Sequence, residues 1–445
     1  MYISFSDRGG RSDVPEPTLA AGKTGAKVSS VVIALGVVSM LTDISSESVA
    51  AILPLYLTSV LGLSTVAYGV IDGLYQGVSA VVRIAGGYAA DRTDQPKWVA
   101  FIGYSLSAVA RIGLLVGSGF AVISAVVTVD RLGKGLRTAP RDALITAASS
   151  PQNLARSFGT HRMLDTIGAA IGPLLAFLVL FFIPSGYTAV FVLSLACAFF
   201  GLVILGLLVP NLGRAGSAQR GVGVSLGMSA TVAGSALPRP AFRWRHLADP
   251  RLRRLLAVAG VFGLLTVGDG FIYLVLQARS DFAAAWFPLL YVGTNVVFLV
   301  CAVPLGRLAD RVGRLRVFII GHGALLAAYI CAALPFAGVV ATVGCLALLG
   351  VFYAASDGVL AALAAQYTPA GSTASGIAAA QTVVALARLV ASTGFGLLWF
   401  TVGPQTAMII VAAVLAVAIP VAMLLLRAQL ARPAGPIVPA TKTSP

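Results

Sequence analysis

Residues 286–316 read WFPLLYVGTNVVFLVCAVPLGRLADRVGRLR: an almost unbroken apolar block through Leu305, then an abrupt change to a small, basic loop carrying Arg307, Arg311, Arg314 and Arg316. A helix that crosses a hydrocarbon core about 30 Å thick needs roughly 20 apolar residues, and basic residues collect where such a helix leaves the bilayer. Block and loop together therefore predict one membrane span and its exit. The rest of the chain has the same composition. Of 445 residues, 58% are hydrophobic and 11% charged, with a mean hydropathy of +0.93, whereas an ordinary soluble domain is about a quarter charged. A soluble fold is excluded.

Comparable blocks recur at residues 29–60, 66–90, 97–117, 120–145, 156–182 and 187–209, and again at 253–277, 286–309, 315–336, 338–365, 373–402 and 404–427. The expected fold is all-α and integral to the membrane, with about twelve transmembrane helices in two six-helix bundles over 28–210 and 251–428. Residues 1–27 and 429–445 are polar and read as disordered tails, and 211–250 mix Gly, Ser, Pro and Arg as a linker does. Lys and Arg fall at the N-terminus, at Arg92 and Lys97, around Arg141, Arg156 and Arg162, through Arg214–Arg254, and at Arg307–Arg316; Arg279 alone lies in an opposite-side loop. Because cytoplasmic loops hold the excess of Lys and Arg, both termini and the linker are expected in the cytoplasm of a multi-pass cell-membrane protein. That placement of charge accounts for the net +15 without nucleic acid as a partner. Arg243, Arg245, Arg251, Arg253 and Arg254 are expected against anionic headgroups. The four cysteines sit in apolar runs and read as packing residues.

The loop at Gly306-Arg-Leu-Ala-Asp310-Arg311-Val-Gly313-Arg314 is echoed after the second span by Gly87-Tyr-Ala-Ala-Asp91-Arg92, and Leu41-Thr-Asp43 in the first span by Leu265-Thr-Val-Gly-Asp269 in the seventh. Two matching six-span halves joined by a basic linker, with this repeated Gly-x-x-x-Asp-Arg loop, resemble the major facilitator superfamily. The resemblance implies a cavity between the halves that opens alternately to each side, a small-molecule substrate, and a gating role for both loops. The first copy departs from the pattern with Asp94 and Pro96. Glycine permits close approach of helix ends, and Asp beside Arg can latch one conformation; a simple topogenic basic loop explains the arginines equally well.

An ionised side chain at the bilayer centre costs about 2.5–3.5 kcal/mol on insertion scales and must face a partner or a wet cavity. The first half holds most of them: Asp43, Glu47, Asp72, Arg83, Arg111, Asp130, Arg131, Lys134, His161 and Asp165. Asp43 and Glu47, one helical turn apart, are expected to form a carboxylate pair that carries a proton or else pairs with Arg or Lys. Arg131 and Lys134 share a face of the fourth span and need anions, Asp165 being a candidate. His161 could relay protons or simply hydrogen-bond at a helix interface. Asp72 and Gln76 are expected near the outer mouth or in solvent, and Arg111 with Asp130 as a pair tying adjacent helices. In the second half Asp269, Tyr273, Gln277, Tyr291, Asn295, Asp357, Gln381 and Arg388 are available to line the cavity. Gly168, Gly172 and Pro173 in the fifth span, and Gly69, Gly73 and Gly77 in the second, are placed for close helix packing.

Asp130-Arg131-Leu-Gly-Lys134-Gly resembles the fourth-span signature of the superfamily's drug:proton antiporters, which implies proton coupling at Arg131; Lys134 and Arg137 depart from it. Gly168-Ala-Ala-Ile-Gly172-Pro173 resembles their fifth-span signature and tilts the direction toward export. The chain is thus read as a monomeric proton-coupled exporter of a small organic compound or drug, with no enzymatic activity, cofactor or metal. Two alternatives stand beside it. Arg131, Lys134, Arg137 and Arg141 along one pathway would suit an importer of an anionic nutrient or chelate. A membrane sensor or assembly partner that does not transport would need none of these charges.

Overall fold

The computed structural model describes residues 28–150, 153–212, 249–335, 338–368 and 373–430; the two tails, most of the linker, and Arg243 and Arg245 lie outside them. The described chain is helical: α1 (Ser30–Leu55, continued by a π turn over Tyr56–Val60), α2 (Thr65–Thr93), α3 (Pro96–Val116), α4 (Phe120–Ala147), α5 (Leu154–Phe182), α6 (Tyr187–Leu208), α7 (Pro250–Leu264), α8 (Asp269–Ser280), α9 (Pro288–Val312), α10 (Arg314–Ala333), α11 (Val339–Gln366), α12 (Thr373–Val402) and α13 (Pro404–Leu430). These make twelve spans, because α7 and α8 are two halves of one. Ten spans among the described residues are long and apolar enough to be recognised as such, and the more polar α2 and α4 are not among them.

Local chemistry sets the helix starts. The Ser29 hydroxyl accepts from Val31 N at 3.3 Å and the Ser64 hydroxyl from Ala67 N at 3.2 Å, while Asp249 accepts from Arg251 N at 2.7 Å ahead of Pro250 at the first turn. Arg279, the basic residue that broke the alternation, is a cap: its Nη1 donates to the carbonyls of Cys331 at 3.0 Å, Ala332 and Leu334, where α10 ends. Lys97 at the start of α3 is buried, with Nζ donating to Gly206 O at 2.9 Å. The cysteines are free.

The seventh span was expected to run continuously over 253–277; it breaks at Leu265–Gly268. Tyr329 of α10 replaces the missing helical bonds, since its hydroxyl accepts from Val267 N at 2.8 Å and donates to Leu265 O at 2.9 Å. Non-helical backbone survives at membrane depth only where protein groups or a cavity satisfy it. The break also gives room to α2: a Cβ on Gly268 would collide with the Asp72 carboxylate, and one on Gly270 with the Tyr68 hydroxyl.

Helix directions define two membrane faces, one bearing the basic helix ends near Arg92, Lys97, Arg311 and Arg314, and the face opposite. The bundles join along their opposite-face halves. Gly69, Gly73 and Gly77 of α2 lie directly on the backbone of Ser392 and Leu389 and the side chain of Leu389 in α12, so the stripe read as helix packing closes one bundle on the other. Thr65 Oγ1 donates to Gly396 O at 3.1 Å, Tyr68 meets Phe271 with ring centroids 4.6 Å apart, and Phe177 of α5 meets Trp286 at 5.4 Å. Toward the basic face, Asn295, Asp357, Gln381 and Arg83 are exposed. Gly168 and Gly172 pack on Met40 and on Ile44, Glu47 and Ser48 of α1, as the fifth-span motif requires.

The repeated loops correspond in place. Gly313 ends α9 at φ +111°, a conformation that suits glycine, and Arg314 bonds Asp310 at 2.9 Å. The close approach expected at Gly306 is absent, because a Cβ there would meet nothing within 4 Å. Gly87 and Asp91 lie in α2 beside exposed Arg92, and the Asp91 side chain is outside the described residues.

Candidate functional site

Two charged clusters stand out, one inside the first bundle and one at the bundle interface. In the first, Asp130 of α4 is buried between two guanidinium groups. Arg111 Nη2 of α3 lies 3.0 Å from Oδ1, and Arg131 Nη2 lies 2.5 Å from Oδ2, with side-chain exposures of 4–5% throughout. Arg111 Nε also donates to Ser45 of α1 at 3.2 Å, and Arg131 stacks 3.8 Å from the Tyr75 ring centroid. The expected Arg111–Asp130 tie is present; Arg131 uses the same carboxylate and not Asp165. Arg137 donates to Ser107 at 2.6 Å and lies over Tyr104. Arg141 bonds Asp142 at 2.9 Å and Ser39 at 3.2 Å, and stands 4.0 Å from Asp165. Three of the four cations expected along one pathway are therefore held by partners within their own bundle.

Lys134 is the exception. It sits within Coulomb range of Asp43 but closes no ion pair among the described residues. Asp43, near the middle of α1, lies within charge range of Glu47 one turn away and also of Asp165 on α5, while Glu47 in turn lies within charge range of Arg131. Gly168 and Gly172 draw α5 against α1 and bring Asp165 toward Asp43, a meeting that spacing within α1 alone does not reveal. Asp165 also faces Arg162 at 3.5 Å. His161 is buried, its Nε2 3.0 Å from Ser39 Oγ, so Ser39 touches both His161 and Arg141.

The second cluster straddles the bundle interface. A narrow cleft is lined by Asp72 and Gln76 of α2, Thr266, Val267 and Gly268 of the break, Tyr353 of α11 and Arg388 of α12. Ser392 Oγ donates to Asp72 Oδ2 at 2.6 Å, and Tyr353 donates to Asp269 Oδ1 at 2.7 Å. Arg388 lies over Tyr353 at 5.6 Å within charge range of Asp269 and Asp357, and its buried Nε has no hydrogen-bond partner. Asp72 is thus not at the outer mouth or in solvent. The signal was available: Asp72 and Gln76 each follow a stripe glycine by three residues, and so flank the face that meets α12.

Among the residues expected to line the cavity, Asp269, Asp357 and Arg388 gather here, and Gln381 accepts from Arg83 Nη1 at 3.3 Å. Asn295 is exposed on α9. Tyr273 does not line a cavity: it is fully buried, bonded to Thr294 at 2.7 Å and packed edge-on against Tyr291. Gln277 Nε2 turns back to Phe282 O at 3.5 Å. Thr266, Gly268, Tyr353 and Ser392 entered the site unforeseen, the first two because the helix breaks. Among the described residues no group of three or more His, Cys, Asp or Glu is placed to hold a metal ion.

Comparison with known proteins agrees with this architecture. The family model for the Major Facilitator Superfamily matches residues 35–294 and 279–443. An uncharacterized MFS-type transporter of Methanocaldococcus jannaschii is 27% identical over 377 residues, covering 82% of this chain and 87% of its own. An uncharacterized protein of Mycobacterium tuberculosis is 31% identical over 166 residues, 37% of this chain and 40% of its own. Among solved structures, the nucleoside transporter NupG aligns with a TM-score of 0.70 at 14% identity, covering 89% of this chain and 99% of that one. A bacterial homolog of the human lysosomal transporter Spinster aligns at 0.69 and 14%, covering 91% and 98%. At such identities the solved structures speak to fold alone. The chain belongs to the major facilitator superfamily and is a multi-pass membrane transporter of that type.

Proposed function

We propose that this transporter couples proton movement to the export of a small organic compound by alternating access, as a monomer in the cell membrane with both termini and the linker cytoplasmic. The observation that carries the reading is that Asp43 lies within charge range of two further carboxylates, Asp165 and Glu47, and of Lys134. Like charges gathered in a low-dielectric setting resist full ionisation, so the group can hold a proton. Lys134 is the nearby cation able to replace that proton as counter-charge, so loading and release become linked to its position. Arg131 holds the scaffold through Asp130, and His161 with Ser39 and Arg141 lies between these carboxylates and the basic face, where protons would leave to the cytoplasm. The closed opposite-face seam and the exposed residues toward the basic face suit one of the two states such a cycle requires. Import of an anion has less support, because Arg131, Arg137 and Arg141 are already partnered.

The test uses the full-length protein in proteoliposomes with a pH-sensitive dye inside. Substrates from a compound screen should drive proton movement of opposite sense to their own, and Asp43→Asn or Asp165→Asn should abolish it while leaving insertion intact. Coupled flux at the unaltered rate in both variants would refute the assignment.

A further inference from the structure

The interface cleft carries charges that the proton-coupling cluster does not use. We infer that it is the head-group subsite for a protonated organic amine bearing a neutral oxygen acceptor, such as an amino alcohol or amino sugar; this rests on the transport reading and names its substrate class. Asp72 lines the cleft beside Arg388, and Asp269 and Asp357 also lie within charge range of that one guanidinium, so the carboxylates outnumber the cation and leave room for a second. The polar groups that remain open point to the rest of the ligand. The Nε of Arg388 is buried without an acceptor, and a hydroxyl or ether oxygen on the ligand would supply one. The break in the seventh span leaves the Thr266 and Val267 carbonyls outside the helical ladder, where they accept no backbone hydrogen bond among the described residues and are free for ammonium N–H donors. Gly268 holds the Asp72 carboxylate against this backbone.

Size agrees with a head group and not a whole ligand. Pockets for drug-sized molecules hold about 300–1,000 Å³, whereas the free space in the cleft is about 10 Å³, room for a single ammonium or hydroxyl group. The remainder of the molecule would extend toward exposed Asp357, Asn295 and Gln381. A carboxylate-bearing ligand would meet the like charge of Asp72 directly, so the site discriminates by charge as well as by shape. The ligand would also touch both bundles at once, its ammonium at Asp72 of α2 and its oxygen at Arg388 of α12. Its arrival and departure therefore bear on the Ser392–Asp72 bond that joins them.

The experiment is equilibrium binding to the purified full-length protein, followed by thermal shift, with three probes of similar size: glucosamine, glucose and glucuronate. Glucosamine should stabilise the protein and the other two should not. Asp72→Asn, which keeps a group able to bond Ser392, should weaken glucosamine binding by about tenfold. Arg388→Gln should lower the preference for glucosamine over cyclohexylamine, which lacks the oxygen acceptors. The unliganded melting midpoint of each variant reports whether it has folded. Equal stabilisation by the neutral or acidic sugar, no stabilisation by any probe, or unaltered binding in folded Asp72→Asn would overturn the inference. Binding needs no proton gradient, so failure here leaves the proteoliposome result standing, and binding without coupled flux would fault the transport reading instead.

Discussion

Replacing Asp130 by Asn keeps the shape of the side chain and removes its charge, leaving Arg111 and Arg131 buried with no anion between them. Both guanidinium groups lie within 3.0 Å of the carboxylate. At an effective dielectric of about 20, unit charges about 4 Å apart attract by about 4 kcal/mol, and removing one partner of a buried pair costs about 3–5 kcal/mol. Arg111 retains Ser45 and Arg131 retains the Tyr75 face, so the lower end, about 3 kcal/mol, applies. For a unit of 150–250 residues each kcal/mol moves the midpoint by about 2–4 °C, which gives a fall of about 6–12 °C. The assay is thermal unfolding of detergent-purified protein followed by size exclusion. The double variant Arg111→Gln with Asp130→Asn should recover part of the loss, because one of the two stranded cations is gone. A single variant that melts within a degree or two of the parent would refute the claim that Asp130 is a structural counter-ion for both.

Tyr329→Phe should cost about 1–3 kcal/mol for each of the Val267 N–H and Leu265 C=O groups it strands at the break, read as a lowered melting midpoint with the helical content by circular dichroism unchanged. Gly73→Leu would push a side chain into the Leu389 carbonyl and Thr393 hydroxyl of α12. Cross-linking between Phe177→Cys and Trp286→Cys, in a background free of the four native cysteines, should then fall, and undiminished cross-linking would show that the α2–α12 seam does not hold that face shut.

The membrane class, the twelve spans and the superfamily were legible along the chain, because a bilayer forces each crossing to satisfy its own backbone and to be apolar over its length, and both demands are local in sequence. The Gly306–Arg314 loop and its first-half copy were legible for the same reason. The break of the seventh span was not. Leu265–Gly268 depends on Tyr329, which is distant in sequence, to satisfy the freed backbone. The partners of the buried charges were also decided by tertiary structure. Asp43 has Glu47 one turn away, and α5, seated by Gly168 and Gly172, brings Asp165 within its charge range as well. Asp72 read as an outer-mouth residue until the glycine stripe beside it proved to lie on α12. Sequence fixes that an intramembrane charge must be compensated; which charge compensates it depends on how helices far apart in the chain come together.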